Sequence, residues 1–282
     1  MKFYVMIRCL IALFFLPAYA APIIDVVIPC HEKDQRTLEQ VIAGARKNVQ
    51  NVRRIIVISK YHMTTSAEWF DEARYPFNRR SILTAIFNND VPKAEAYATS
   101  RKNRTGWIYQ QFLKLYAPFV IPDISENVLV LDADTVFIKP ITFIDQTGAA
   151  LYGMSSEYYP PYFEHMQRLL PGLKKVFKDY SGICHHMLFQ RPVLEQLFQK
   201  ISAQHGCEPW IAICRCIDHS QLYLSALSEY EIYFNYVFSS GFNVKTRYVC
   251  WTNVYSQKDL DLAKQQQFYD SVSFHNYSFE IE

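Results

Sequence analysis

Glycine is scarce in this chain, eight residues in 282, and nowhere does it gather with proline or serine into a linker. No repeat or low-complexity tract breaks the sequence either, so one folded domain is expected rather than a string of modules. Basic runs are also missing. Lysine and arginine are dispersed and the net charge is only +2, which argues against nucleic acid as the main partner. No Cys-x-x-Cys pair occurs, and Cys214-Arg215-Cys216 does not suit a zinc or thioredoxin-like site. Long apolar runs are absent. Cys9 to Leu16 falls well short of the roughly 20 residues that span a bilayer, and no other stretch approaches it.

That short run follows Lys2 and Arg8 and is closed by Pro17 and Ala18-Tyr19-Ala20, a small-x-small cleavage pattern. Residues 1–20 therefore read as a signal peptide. The mature chain is expected to be exported, to a periplasm, a secretory compartment or the medium. An uncleaved signal anchor from Phe3 is the rival, and no stable transmembrane anchor is expected. Six cysteines remain after Cys9: Cys30, Cys184, Cys207, Cys214, Cys216 and Cys250. An even number in an exported chain fits disulfides, with the pairing open. Asn103-Arg104-Thr105 and Asn276-Tyr277-Ser278 match glycosylation sequons. Aromatics are abundant, with 20 Tyr and 20 Phe, which suits a deep cleft or a bulky core equally.

The mature chain opens with a β-branched run, Ile23 to Pro29, then a helical pattern from Gln35 to Val49, then a second apolar run, Arg53 to Ser59. Strand, helix and strand with unbroken apolar strands begin a parallel sheet covered on both faces. Residues 60–105 read as short helices and loops, Trp107 to Phe119 as a helix ended by Pro118 and Pro122, and Val128 to Leu131 as a third buried strand. Further on, Met187 to Phe189 reads as extended, Val193 to Ala203 and Gln221 to Phe238 as helical, and Val272 to Phe274 as a late strand. The fold class is α/β: a Rossmann-like, mixed and mostly parallel sheet flanked by helices. A nucleotide-binding half, about 22–140, precedes an acceptor-side half, about 141–282.

Asp132 and Asp134 stand two apart beyond four apolar residues, so both carboxylates project to one side of an extended chain. Like charges this close raise each other's pKa unless a cation shares them. The pair asks for a hard divalent ion, Mn²⁺ or Mg²⁺, able also to hold diphosphate oxygens and to offset charge on a departing nucleoside diphosphate. Spacing alone proves little. Asp259-Leu260-Asp261 repeats it within a polar helical stretch, Lys258 to Gln267, and reads as a solvated face. Val128 to Val136 also fits the first motif of haloacid-dehalogenase-like phosphatases, with Asp132 as nucleophile and Asp134 as general acid. Those enzymes open with that motif and need a later acidic pair, and no downstream strand ends in one.

Other residues suit a sugar donor and acceptor. Gln110 and Lys114 lie one helical turn apart and together suit a nucleotide-sugar donor. The loop at Lys33-Asp34, just past the first strand, approaches the nucleoside. His185 reads as a substrate contact. Glu229 and Glu231 stand among tyrosines, and either suits the base that deprotonates an acceptor hydroxyl. His275, after the last strand, offers the metal an imidazole nitrogen.

Taken in order, the blocks Val27-Ile28-Pro29 with Lys33-Asp34, Gly106-Trp107 with Gln110 to Leu115, Leu129 to Thr135, Tyr180-Ser181-Gly182-Ile183 and Ser228-Glu229-Tyr230-Glu231 resemble a little-characterised family. It is grouped with the nucleotide-diphospho-sugar transferases of the GT-A type. The resemblance runs from about residue 23 to 276, and its aspartate and Ser-Glu-Tyr-Glu blocks are the most specific. It implies a GT-A fold, a nucleotide-sugar donor, a glycan or other hydroxyl acceptor, and a metal at Asp132 and Asp134. In the more distant glycogenin-like transferases a late histidine joins the metal, and His275 matches that residue by position. The alternative is a secreted carbohydrate-binding protein that keeps this scaffold without turnover.

Overall fold

The computed structural model describes residues 22–274. The expected signal segment, His275 and the sequon at Asn276 lie outside the described residues. Strand β1 (Ile24–Pro29) is buried along its whole length. Helix α1 (Gln35–Asn48) then leads to β2 (Val52–Ser59), which lies parallel to β1. A short strand, β3 (Glu68–Asp71), adds parallel to β2. Helices α2 (Arg79–Ile86), α3 (Val91–Thr99) and α4 (Thr105–Val120) follow. The chain then returns to the far side of β1 as β4 (Asn127–Leu131), again parallel.

With neighbours on both sides and helices against it, β1 carries apolar residues without alternation. Its one charged residue, Asp25, is fully buried and satisfied: it accepts from the Ser125 amide at 2.8 Å and Arg53 Nε at 2.9 Å. The connection leaves β1 for β2 on one side and returns to β4 on the other. At such a reversal the loops beyond the two carboxyl ends diverge and leave a crevice. Those loops carry Lys33-Asp34 and Asp132-Ala133-Asp134.

After the aspartates, β5 (Thr135–Phe137) leaves the main sheet. Next come β6 (Ala150–Gly153), α5 (Pro160–Leu169) and β7 (His186–Gln190), which pairs antiparallel with β4 and completes the order β3-β2-β1-β4-β7. Helices α6 (Arg191–His205), α7 (Pro209–Arg215) and α8 (Glu229–Ser239) precede β8 (Val244–Arg247), β9 (Trp251–Val254), α9 (Gln257–Gln266) and β10 (Ser271–Phe274). β10 joins β5 antiparallel and β9 parallel in a small second sheet, and β6 pairs with β8. The result is the expected α/β architecture, a mixed and mostly parallel sheet flanked by helices. One apolar cluster runs from Ile24 to Phe274, so the two halves share a core. No helix among the described residues is long and apolar enough to cross a membrane.

Three expectations need correction. The helix expected from Gln221 begins only at Glu229, because the Ser228 side chain accepts from the Glu231 amide at 3.2 Å and caps it there. Pro118 does not end α4 but sits inside it, two residues before the last. The six described cysteines are unpaired, and Cys30, Cys184, Cys214 and Cys216 are buried thiols whose pKa values burial raises.

Candidate metal centre and adjoining cleft

Asp132 and Asp134 sit where β4 ends, held by backbone on both sides. The Asp132 amide donates to the His185 carbonyl at 3.0 Å, and the Phe274 amide donates to the Asp134 carbonyl at 2.8 Å. The pairing of β4 with β7 and of β5 with β10 therefore fixes the turn between them. Each Asp132, Asp134 and His185 side chain offers one ligand atom within 4.8 Å of the other two, and all three are half-buried. His185 Nδ1 lies 3.6 Å from Asp132 Oδ2. Its backbone adopts a left-handed φ of 57°, uncommon for a residue with a side chain and typical of functional turns.

Two carboxylate oxygens and an imidazole nitrogen fit a divalent ion. Carboxylates suit Mg²⁺ and Mn²⁺ alike, while the imidazole shifts the preference towards a transition metal. The electrostatics agree. Burial and the neighbouring Asp132 hold the Asp134 carboxyl above its usual range, the condition a shared cation relieves. At Asp132, burial is outweighed by Lys114 and His185, and the carboxyl is held well below its usual range. At His185, burial is outweighed by the Asp132 hydrogen bond and by both aspartates, which raise the imidazole.

Behind the aspartates lies a buried polar knot. Lys114 Nζ, its side chain 5% exposed, meets Asp132 Oδ1 at 2.6 Å and Glu229 Oε1 at 2.9 Å. It also donates to Tyr230 Oη at 3.2 Å, and Tyr230 in turn donates to Asp132 Oδ1 at 3.3 Å. Glu229 and Tyr230 start α8, so this knot ties α4, α8 and the end of β4 together. Asp134 Oδ1 accepts from Thr135 at 3.2 Å and from Ser273 at 3.4 Å.

On the near side, a cleft of about 460 Å³ opens beyond β1 and along the first half of α4. Lys33, Asp34 and Gln110 line it together with Arg79, Arg104 and Trp107. Arg104 lies over the Trp107 ring at 4.7 Å. One hydroxyl joins cleft to aspartate turn: Thr37 Oγ1 lies 2.9 Å from the Asp34 carbonyl and 2.8 Å from the Ala133 carbonyl, with one proton to share between them. On the other side Trp251, 37% exposed, packs T-shaped against the His185 ring, with centroids 5.0 Å apart.

The residues singled out from sequence thus divide. Lys33, Asp34 and Gln110 share the cleft, and Asp132, Asp134 and His185 form the cluster able to hold an ion. Lys114 and Glu229 pair with each other beneath it. Glu231, on α8 two residues from Glu229, bonds Asn235 Nδ2 at 2.7 Å instead. The second Asp-x-Asp lies on α9, where Asp261 accepts from Gln257 at 3.0 Å on an exposed helix face. Asn103 of the first sequon spends its amide on the Ser100 carbonyl at 2.7 Å. Arg79, Arg104 and Trp251 escaped sequence reasoning, because no motif marks them and only the fold brings them to the site. His185, which the sequence offers as a substrate contact, stands here among the candidate ligands.

The model of a family described as "Family of unknown function (DUF6492)" matches residues 6–280. No curated protein matches the chain. Among solved structures, mouse xyloside xylosyltransferase 1 in its apo form is similar at 12% identity, over 93% of this chain and 99% of that one, with a TM-score of 0.43.

Proposed function

The chain belongs to the Family of unknown function (DUF6492), and for it we propose a glycosyltransferase that moves a sugar from a nucleoside diphosphate to a hydroxyl acceptor. One observation carries the reading: a two-carboxylate, one-imidazole cluster lies at the carboxyl end of β4 beside a cleft at the β1–β4 reversal. Asp132, Asp134 and His185 would hold a divalent metal, with Mn²⁺ favoured by the imidazole, and the metal would stabilise charge on the departing diphosphate. Lys33, Arg79 and Arg104 supply positive charge to the cleft. Asp34, Gln110 and Trp107 supply hydrogen bonds and a flat face for the nucleoside. The exposed part of Trp251 offers a wall against which the apolar face of an acceptor sugar stacks. Export by the amino-terminal run belongs to the same proposal and would place the reaction among exported glycans.

Purified chain, a panel of nucleotide sugars and Mn²⁺ provide the test. Hydrolysis or transfer is expected for at least one donor, and chelation should abolish it. Asp134→Ala should lower both Mn²⁺ affinity and turnover by at least roughly the 10–100-fold that loss of a supporting residue costs a metal site. Turnover and Mn²⁺ affinity that both survive Asp134→Ala would overturn the metal assignment.

A further inference from the structure

Burying an ammonium costs several kcal/mol unless partners replace its water. Lys114 has a full set. Its three N–H donors face three acceptors, Asp132 Oδ1, Glu229 Oε1 and Tyr230 Oη, at 2.6, 2.9 and 3.2 Å. No proton is left over for a donor phosphate, and Leu113 rather than Lys114 lines the cleft beside Gln110. Glu229, 2% exposed, is likewise engaged with the ammonium and does not stand open to an acceptor hydroxyl.

The arrangement acts on Asp132. Oδ1 takes both the Lys114 ammonium and the Tyr230 hydroxyl, while Oδ2 is the oxygen turned to His185 Nδ1. Swinging the carboxylate so that both oxygens grip an ion would break the shortest of these contacts. We propose that Lys114 is a positioning residue of the metal centre: anchored by Glu229, it holds Asp132 by Oδ1 and so presents that carboxylate to the ion through Oδ2 alone. Glu229 is then the anchor of the device and not a base. This inference rests on the metal reading above.

The test uses the full mature chain with Mn²⁺ as the probe, read by calorimetry and by the electron paramagnetic resonance spectrum of the bound ion. Lys114→Met with Glu229→Met removes the ammonium together with its anchor and leaves Asp132 to Tyr230 and His185; it is the main variant, and its fold is checked first because a buried carboxylate loses its cation. It should still bind Mn²⁺, about tenfold more weakly as outer partners are lost, with a changed spectrum as Asp132 becomes free to reorient. Glu229→Gln keeps an acceptor for Lys114 and decides the matter if the double variant does not fold. It should shift affinity and spectrum in the same direction by a smaller amount, whereas a general base at Glu229 would leave both untouched. Wild-type binding with variants identical in affinity and spectrum overturns the role of Lys114 alone. Failure of the wild-type chain to bind Mn²⁺ removes the metal reading, and this inference with it.

Discussion

At the scale of single residues, Glu231 shows what burial does to a carboxyl. It lies buried on α8, and burial, opposed by the Asn235 hydrogen bond, pushes its carboxyl up to about 7. The unfolded chain releases that proton near the ordinary value of 4.5, so between these two pH values the folded chain binds more protons. Stability must then fall as pH rises through that window. Glu231→Gln should flatten the fall, matching wild type near pH 4.5 and exceeding it above pH 7 in urea unfolding. Equal slopes in the two proteins would refute the shift. Sequence could mark the residues of this centre only where strand and spacing agree. Asp132 and Asp134 were legible because an apolar strand delivers them. His185 was not, because its place depends on β7 pairing with β4 and on a left-handed turn that no motif announces.

Elements were easier to read than residues. β1, α1, β2, β4 and β10 fall within a residue or two of the sequence reading, since buried parallel strands and an amphipathic helix leave strong periodic signals. β3 was missed: Glu68-Trp69-Phe70-Asp71 is a short edge strand with only one buried side chain, too little pattern to see. Nor does periodicity show how closely elements approach. Gly44 lies in the middle of α1, where alanine is ordinarily better by about 0.5–1 kcal/mol. A Cβ there would stand 2.9 Å from the Phe137 carbonyl oxygen and 2.9 Å from Val136 Cγ1. Overpacking of this kind costs about 1–3 kcal/mol, and a backbone oxygen cannot turn aside. Gly44→Ala should therefore destabilise the chain in spite of its helix propensity, by a lower urea midpoint. It should also disturb β5, which leads directly out of Asp134. A rise in stability would mean that α1 and β5 do not pack this closely.

For the whole molecule, the site draws on residues nearly the full length of the chain apart, from Lys33 to Ser273. Topology gathers them: the β1–β4 reversal sets the cleft, and the small β5-β10-β9 sheet brings Ser273 to Asp134 and Trp251 to His185. The order of the parts and the fold class are legible in the sequence, but that arrangement is not. The cleft and the metal centre adjoin through Asp34, Thr37 and Ala133, which has a thermodynamic consequence. A ligand with its base in the cleft and its phosphates on the metal must bind cooperatively with the ion, and the coupling must be the same measured from either side. Its expected size is about 5–150-fold. Calorimetric titration of nucleoside diphosphates with and without Mn²⁺, and of Mn²⁺ with and without the nucleotide, measures both halves of the cycle. Asp134→Ala should erase the coupling yet leave metal-free nucleotide binding close to wild type, because the cleft residues stay in place. Nucleotide and Mn²⁺ that bind independently in the wild-type chain would separate the cleft from the metal centre and remove the donor from this site.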